Sequence, residues 1–212
     1  MNFSNIKIEG YILSNSMDVP EYLIQLERET NLTTLMPQML SGRLQGRLLS
    51  FISKMVNPEN ILEIGTFTGY SALCLAEGLR ESGKLTTIEY DPEMKNIIEK
   101  YIGKSGMQDK IEVIFDDAKN VLDKLNNTYD LVFLDAFKED YILYYENIIP
   151  RLKSGGIIIA DNVLWSGKVI TEPDDKTASA IIEFNRHVNN DPRTENIILP
   201  IRDGLSLIRK LG

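Results

Sequence analysis

Residues 61–73 read ILEIGTFTGYSAL. Ile61–Ile64 is a short β-prone run, Gly65 and Gly69 punctuate it, and a helical pattern begins near Ser71. A strand that enters a helix through a glycine turn is the first half of a βαβ unit. The pattern repeats downstream. Runs at Lys84–Glu89, Lys110–Phe115, Leu131–Leu134 and Gly156–Ala160 alternate with helical stretches that begin near Pro92, Ala118, Asp140 and Thr177. Such alternation predicts a parallel sheet covered on both faces, and right-handed crossovers make it doubly wound. Two last strand candidates, Asn196–Pro200 and Leu205–Arg209, are separated only by Ile201–Gly204. That gap is too short for a crossover, so they close the sheet as an antiparallel hairpin. The expected fold class is therefore α/β, with a doubly wound, seven-stranded, mostly parallel sheet ending in an antiparallel hairpin.

Upstream of residue 58 the pattern is helical. Leu40, Leu44, Leu48, Phe51, Ile52 and Met55 recur at steps of three and four, which predicts an amphipathic helix. Met17–Thr30, with Pro20 near its start, is a second helix candidate. The expected organisation is one domain over 1–212: a helical lead, 1–57, covering part of the active site, and a core, 58–212.

A chain of 212 residues suits one α/β domain. Its net charge of −8 disfavours nonspecific binding to a phosphate backbone, which draws its affinity from Lys and Arg. The single cysteine, Cys74, cannot form an intrachain disulfide and fits a reducing compartment. The single histidine, His187, falls in a polar stretch and reads as a surface residue. Lys7, Glu9, Asp18 and Glu21 interrupt the first thirty residues, so no signal peptide is read there. No apolar run is long enough for a membrane span. A cytoplasmic protein with no membrane association is expected.

In open α/β sheets, ligands bind beyond the carboxyl ends of the strands. Those ends carry Gly65, Glu89, Asp116–Asp117, Asp135 and Asp161–Asn162. A glycine turn lets a ligand approach the backbone, and the helix start after it suits a carboxylate, though such a turn is also explained by backbone geometry alone. Glu89 lies 24 residues after Gly65, near the ~20-residue spacing of a ribose-reading acid. Together they suggest an adenosine-containing ligand. Asp117, with Ala118 beside it, is placed to meet an adenine edge, to cap the next helix, or both. Asp135, Asp161 and Asn162 follow neighbouring strands and offer three hard oxygen ligands, suited to Mg²⁺, Mn²⁺ or Ca²⁺ rather than zinc. The alternative is that both aspartates cap the helices after them. Lys138 is a general-base candidate beside such a cation, or else pairs with Glu139 or Asp140. Trp165 and Phe137 either wall an aromatic substrate or pack. Tyr141, Tyr144 and Tyr145 sit at helical spacing and read as packing residues.

With these residues in hand, the chain resembles the cation-dependent class I S-adenosylmethionine O-methyltransferases, of the caffeoyl-CoA O-methyltransferase-like type and its bacterial relatives, with catechol O-methyltransferase more distant. The likeness runs from about Met36 to Lys210. It is carried by MLSGRLQGRLL (39–49), ILEIGTFTGYSAL (61–73), TIEYDPE (87–93), DLVFLDAFKEDY (130–141), LKSGGIIIADNVLWSGKV (152–169) and IRDGLSLIRK (201–210). The resemblance implies a Rossmann-like core. It implies that Met39 and Ser41 line the cofactor pocket, and that Glu63, Gly65, Thr66 and Ser71 hold the methionine part. Glu89 would take the ribose, Tyr90 would lie beside the adenine, and Asp117–Ala118 would meet the adenine. Asp135, Asp161 and Asn162 would bind the metal, Asp135 also standing near the cofactor amine, and Lys138 would be the base or would orient the hydroxyl. Asp203 matches an acid near the substrate end. Two positions depart from the family pattern. Phe137 stands where an aspartate is usual in the plant enzymes, and Ser166 where an asparagine is common.

The activity implied is methyl transfer from S-adenosylmethionine to one hydroxyl of a catechol-like small molecule, with a divalent cation, Mg²⁺ first, and a homodimeric enzyme. Three alternatives stand beside it. One is the same chemistry on a hydroxylated tRNA uridine, for which Arg43, Arg47 and Lys54 lie on one segment although the net charge opposes it. Another is a nicotinamide-dependent oxidoreductase, opposed by the missing Gly-x-Gly-x-x-Gly. The last is a module that binds the cofactor without catalysis.

Overall fold

The computed structural model describes residues 6–212, so the first five residues of the expected lead lie outside the described residues. Seven strands form one sheet: β1 Asn60–Ile64, β2 Lys84–Glu89, β3 Ile111–Phe115, β4 Tyr129–Leu134, β5 Leu152–Asp161, β6 Thr194–Leu199 and β7 Leu205–Lys210. Their order is β3-β2-β1-β4-β5-β7-β6, parallel through β5, with β7 antiparallel to both its neighbours. This is the doubly wound sheet and closing hairpin that the alternation predicted.

The helices are α1 Ile6–Ser14, α2 Glu21–Thr33, α3 Gly42–Val56, α4 Tyr70–Ala76, α5 Lys95–Ser105, α6 Ala118–Val121, α7 Tyr141–Ile148, α8 Lys168–Thr171 and α9 Lys176–Asn189. α1 was not anticipated. α2 begins after Pro20, later than the pattern suggested, because proline suits a helix boundary and cannot donate within one. Alternate strand residues face opposite layers. Ile61, Leu85, Leu131, Phe133 and Ile159 pack with α2–α5, and Leu62, Ile88, Val132, Leu134 and Ile158 pack with α6, α7 and α9. The first cluster joins the lead to the sheet, for it includes Leu23, Leu26, Leu49 and Ile52.

The amphipathic helix expected in the lead is α3, but its packed face is not the whole apolar stripe. α3 buries Gln45, Gly46, Leu49, Ser50, Ile52 and Ser53, while Phe51 and Met55 are exposed. The small residues explain the rotation. A Cβ on Gly46 would come within 2.6 Å of the Tyr70 ring and 2.8 Å of Cys74 Sγ, so α3 and α4 touch at van der Waals distance there. Ser53 Oγ donates to the Leu75 carbonyl at 2.6 Å. Close backbone approach and hydrogen bonds outweigh the burial of two larger side chains. Cys74 is buried in this contact, as expected. Among the described residues, no helix is long and apolar enough to cross a membrane.

Candidate functional site

Sheet register assembles the site. Ile64 pairs with Ile88 and Leu134, and Leu134 with Ala160. One residue further along, Glu89, Gly65, Asp135 and Asp161 therefore form a row across four strands. Ile64, Ile88, Leu134 and Ala160 face the α6, α7 and α9 layer. The row after them turns toward the lead and α4. There it borders a cavity of about 830 Å³, whose walls include Ser41, Thr66, Ser71, Asp117, Ala118, Lys138 and Asn162, with Met39, Tyr90, Phe137 and Trp165 among the larger side chains.

Gly65 is fixed by two constraints. Its φ is +98°, and a Cβ would lie 1.9 Å from the Asp135 carbonyl oxygen. The two strand ends approach so closely that only hydrogen fits. Around the same cavity, Phe67, Asn162, Trp165 and Arg202 hold positive φ without being glycine. Backbone strain of this kind costs about 1–3 kcal/mol per residue and gathers at functional sites.

Glu89 is buried, and its two oxygens accept from the backbone N–H of Phe67 at 2.6 Å and of Asp91 at 2.8 Å. Burial raises its pKa against those hydrogen bonds. Glu63 departs from expectation. It is sealed under the cavity floor rather than lining it, because β1 alternation turns it into the layer between sheet and helices. Oε2 accepts from Thr87 Oγ1 at 2.5 Å, and Oε1 has no partner. Burial pushes this carboxyl up to about 8, against hydrogen bonds from Ser71 and Thr87.

Asp135 and Asp161 cap no helix. Asp135 Oδ1 accepts from Lys138 Nζ at 2.8 Å. Asp161 Oδ1 accepts from the Asn162 backbone N–H at 2.7 Å, and Oδ2 from Gln45 Nε2 at 2.6 Å. Burial, then the charge of Asp135, raises the Asp161 pKa to about 6. Asp135, Asp161 and Asn162 line the same cavity, and two carboxylates with one amide are a hard-oxygen set suited to a divalent cation. By chemistry and placement these residues fit such an ion.

Lys138 is buried and pairs with neither Glu139 nor Asp140. Its Nζ donates to Asp135 and, at 2.6 Å, to Tyr141 Oη. Tyr141 Oη lies 3.1 Å from the Leu134 carbonyl and 3.0 Å from that of Asp161. Burial, then the charges of Asp135 and Asp161, raise its pKa well above the usual phenol value, so it stays neutral and donates. Tyr144 and Tyr145 pack as expected.

Gln45, Tyr141 and Arg202 were not anticipated at the site. Arg202 donates to the carbonyls of Leu40 and Ser41, tying the residues before α3 to the β6–β7 turn. Gln45 had one visible sign, a polar residue in register with Gly46, Leu49 and Ser53 on the face that packs. Asp117 does cap α6, accepting from the Lys119 N–H at 2.9 Å. Asp203 accepts from the Ser166 N–H and so shapes the loop after β5. Away from the cavity, Glu146, His187 and Asp191 converge. Arg193 lies 2.7 Å from Glu146 and 2.6 Å from Asp191, so their charge is already met. His187, expected at the surface, is half-buried and 2.6 Å from Glu146.

The family model for O-methyltransferases matches residues 13–211. The chain is 34% identical over 220 residues to a caffeoyl-CoA O-methyltransferase of Stellaria longipes, covering 97% of this chain and 90% of that one. It is 35% identical over 216 residues to caffeoyl-CoA O-methyltransferase 5 of Nicotiana tabacum, covering 95% and 90%. Among solved structures, the SAH-bound methyltransferase of Podospora anserina superposes with a TM-score of 0.90 at 31% identity, covering 97% and 94%. The O-methyltransferase TomG of Streptomyces achromogenes, in complex with SAM, superposes with a TM-score of 0.88 at 26% identity, covering 97% and 96%.

Proposed function

Because this chain belongs to the O-methyltransferase family, we propose that its cavity binds S-adenosylmethionine and a divalent cation, and methylates one hydroxyl of a catechol-like small molecule. The observation that carries this reading is the row made by register: Glu89 and Gly65 on one side, Asp135, Asp161 and Lys138 on the other, around one cavity.

The residues divide the work. Gly65 lets the ligand approach the backbone, and Glu89, held by Phe67 and Asp91, presents its remaining lone pairs to ribose hydroxyls. Tyr90 and Phe137 flank the adenosine end. Asp135, Asp161 and Asn162 would hold the cation, Mg²⁺ first, with Mn²⁺ and Ca²⁺ as alternatives. When bound, that ion would supply Lewis acidity toward the acceptor hydroxyl. Lys138, steered by Asp135 and Tyr141, orients or accepts the proton of the acceptor hydroxyl. The hydroxyl oxygen forms a bond to the methyl carbon, the carbon–sulfur bond breaks, and its electron pair stays on sulfur. Holding donor and acceptor in line contributes much of the acceleration. Trp165 walls the acceptor side, and Met39 and Ser41 line the cofactor side of the cavity.

A small acceptor is favoured over tRNA by the state of the lead's cations. Arg43 is paired with Asp18, and both Arg47 and Lys54 with Glu77. Membership of the family argues against the nicotinamide alternative, and Lys138 with its neighbours argues against a silent binding module. The test is turnover of a simple catechol with and without chelator, in wild type and Asp161→Ala. The reading expects Mg²⁺-dependent methylation, lost in the variant while SAH binding persists. Turnover that survives chelation sinks the cation role.

A further inference from the structure

Gln45 lies at the end of the first turn of α3, well away in sequence from the strand ends, and is fully buried. Its Nε2 donates to Asp161 Oδ2 at 2.6 Å, while its Oε1 is buried and has no partner. A buried amide oxygen without a hydrogen bond is costly, by about 1–3 kcal/mol, and packing alone would favour an apolar side chain here. The tight contact of Gly46 with Tyr70 and Cys74 fixes the height and rotation of α3, and so the aim of Gln45.

We propose that Gln45 is a positioning residue for the cation site. It clamps Asp161 from the side opposite the Asn162 N–H, so that both carboxylate oxygens are oriented before an ion arrives. Its free Oε1 accepts a hydrogen bond from water that enters with the ion. The lead thus sets the geometry of the site as well as covering it. This inference rests on the cation reading given above. Groups that orient a ligating carboxylate typically contribute 10–100-fold to metal affinity.

The test measures Mn²⁺ affinity by titration of the SAH complex, with no methyl acceptor present. Gln45→Met keeps the volume and removes the donor. Gln45→Asn keeps an amide but falls one methylene short. Each is expected to bind Mn²⁺ at least tenfold more weakly, with SAH affinity within twofold of wild type, a split that general destabilisation would not produce. In the wild-type enzyme, the side-chain amide NMR signal of Gln45 should shift when Mg²⁺ is added to the SAH complex, a readout that needs no variant to fold. Wild-type Mn²⁺ affinity in either folded variant, or an unmoved amide signal, overturns the proposal while leaving the cation reading intact. If wild type itself binds no Mn²⁺, the cation reading falls first and this inference with it.

Discussion

Phe137 stands edge-on to Tyr90, their ring centroids 5.7 Å apart and their planes at 85°. Both rings are more than half exposed and border the cavity. The position where the plant enzymes usually carry an aspartate thus contributes here to an aromatic wall. Edge-to-face pairs couple by about 0.5–1.5 kcal/mol. Phe137→Ala and Tyr90→Ala should each weaken SAH binding several-fold, and the double variant should lose less than the sum by about 0.5 kcal/mol. Calorimetric titration of the four proteins measures the cycle. Strict additivity would show that the rings act separately.

Lys138 and Tyr141 make a second prediction. Removing a general base typically lowers turnover by about 10²–10⁴-fold. Lys138→Met should therefore lower kcat by that order, with SAH affinity within threefold. Tyr141→Phe withdraws one of the two acceptors that steer Nζ and should lower kcat by a smaller factor, about tenfold. A Lys138→Met enzyme with near-normal kcat removes the lysine from the chemistry.

The strand ends were legible in the sequence because register in a parallel sheet follows from the apolar runs themselves. Once Ile64, Ile88, Leu134 and Ala160 align, Gly65, Glu89, Asp135 and Asp161 must share a row. The lead was less legible. A hydrophobic stripe marks a buried face only when burial of bulk dominates packing. In α3 a glycine and two serines bring the backbone against α4, so Phe51 and Met55 face outward and Gln45 inward. Tyr141 was read as packing because nothing in local spacing shows that its hydroxyl meets Lys138 and a carbonyl from β5.

Glu63 gives a pH prediction. Its folded pKa, about 8, lies above the ordinary 4.5. A raised carboxyl stabilises the folded empty enzyme fully below pH ~4.5, and that contribution is lost as pH rises toward 8. At pH 7 the empty enzyme therefore carries this carboxyl mostly protonated. A cationic amine bound nearby favours the carboxylate, so cofactor binding should release a proton, and affinity should rise between pH 6 and 7.5. Titration in buffers of different ionisation enthalpy detects that proton. Glu63→Gln should abolish both the release and the pH dependence. Equal proton release in the variant would assign the proton to another group.

Glu77 holds three hydrogen-bond donors at once: Arg47 at 2.6 Å, Lys54 at 2.9 Å and Ser50 at 2.7 Å. Glu77 and Arg47 are nearly buried, with side chains 11% and 9% exposed. The carboxylate is held below its ordinary pKa: burial raises it, and the donors, Arg47 first, more than reverse that. Its contribution to stability is therefore present above pH ~4.5 and lost as pH falls through the lowered value. Breaking one side of a buried pair leaves an uncompensated charge, at a cost of about 3–5 kcal/mol. Lys54 and Ser50 remain to share that charge, so Arg47→Met should lower unfolding free energy by about 3 kcal/mol at pH 7, the low end of the range. Protonating the stranded carboxyl relieves the defect, so the gap to wild type should narrow as pH falls toward 4. Urea denaturation at pH 7, 5.5 and 4.5 tests both parts, and a gap that stays constant across that range would mean that lost packing around Arg47, rather than stranded charge, sets the cost.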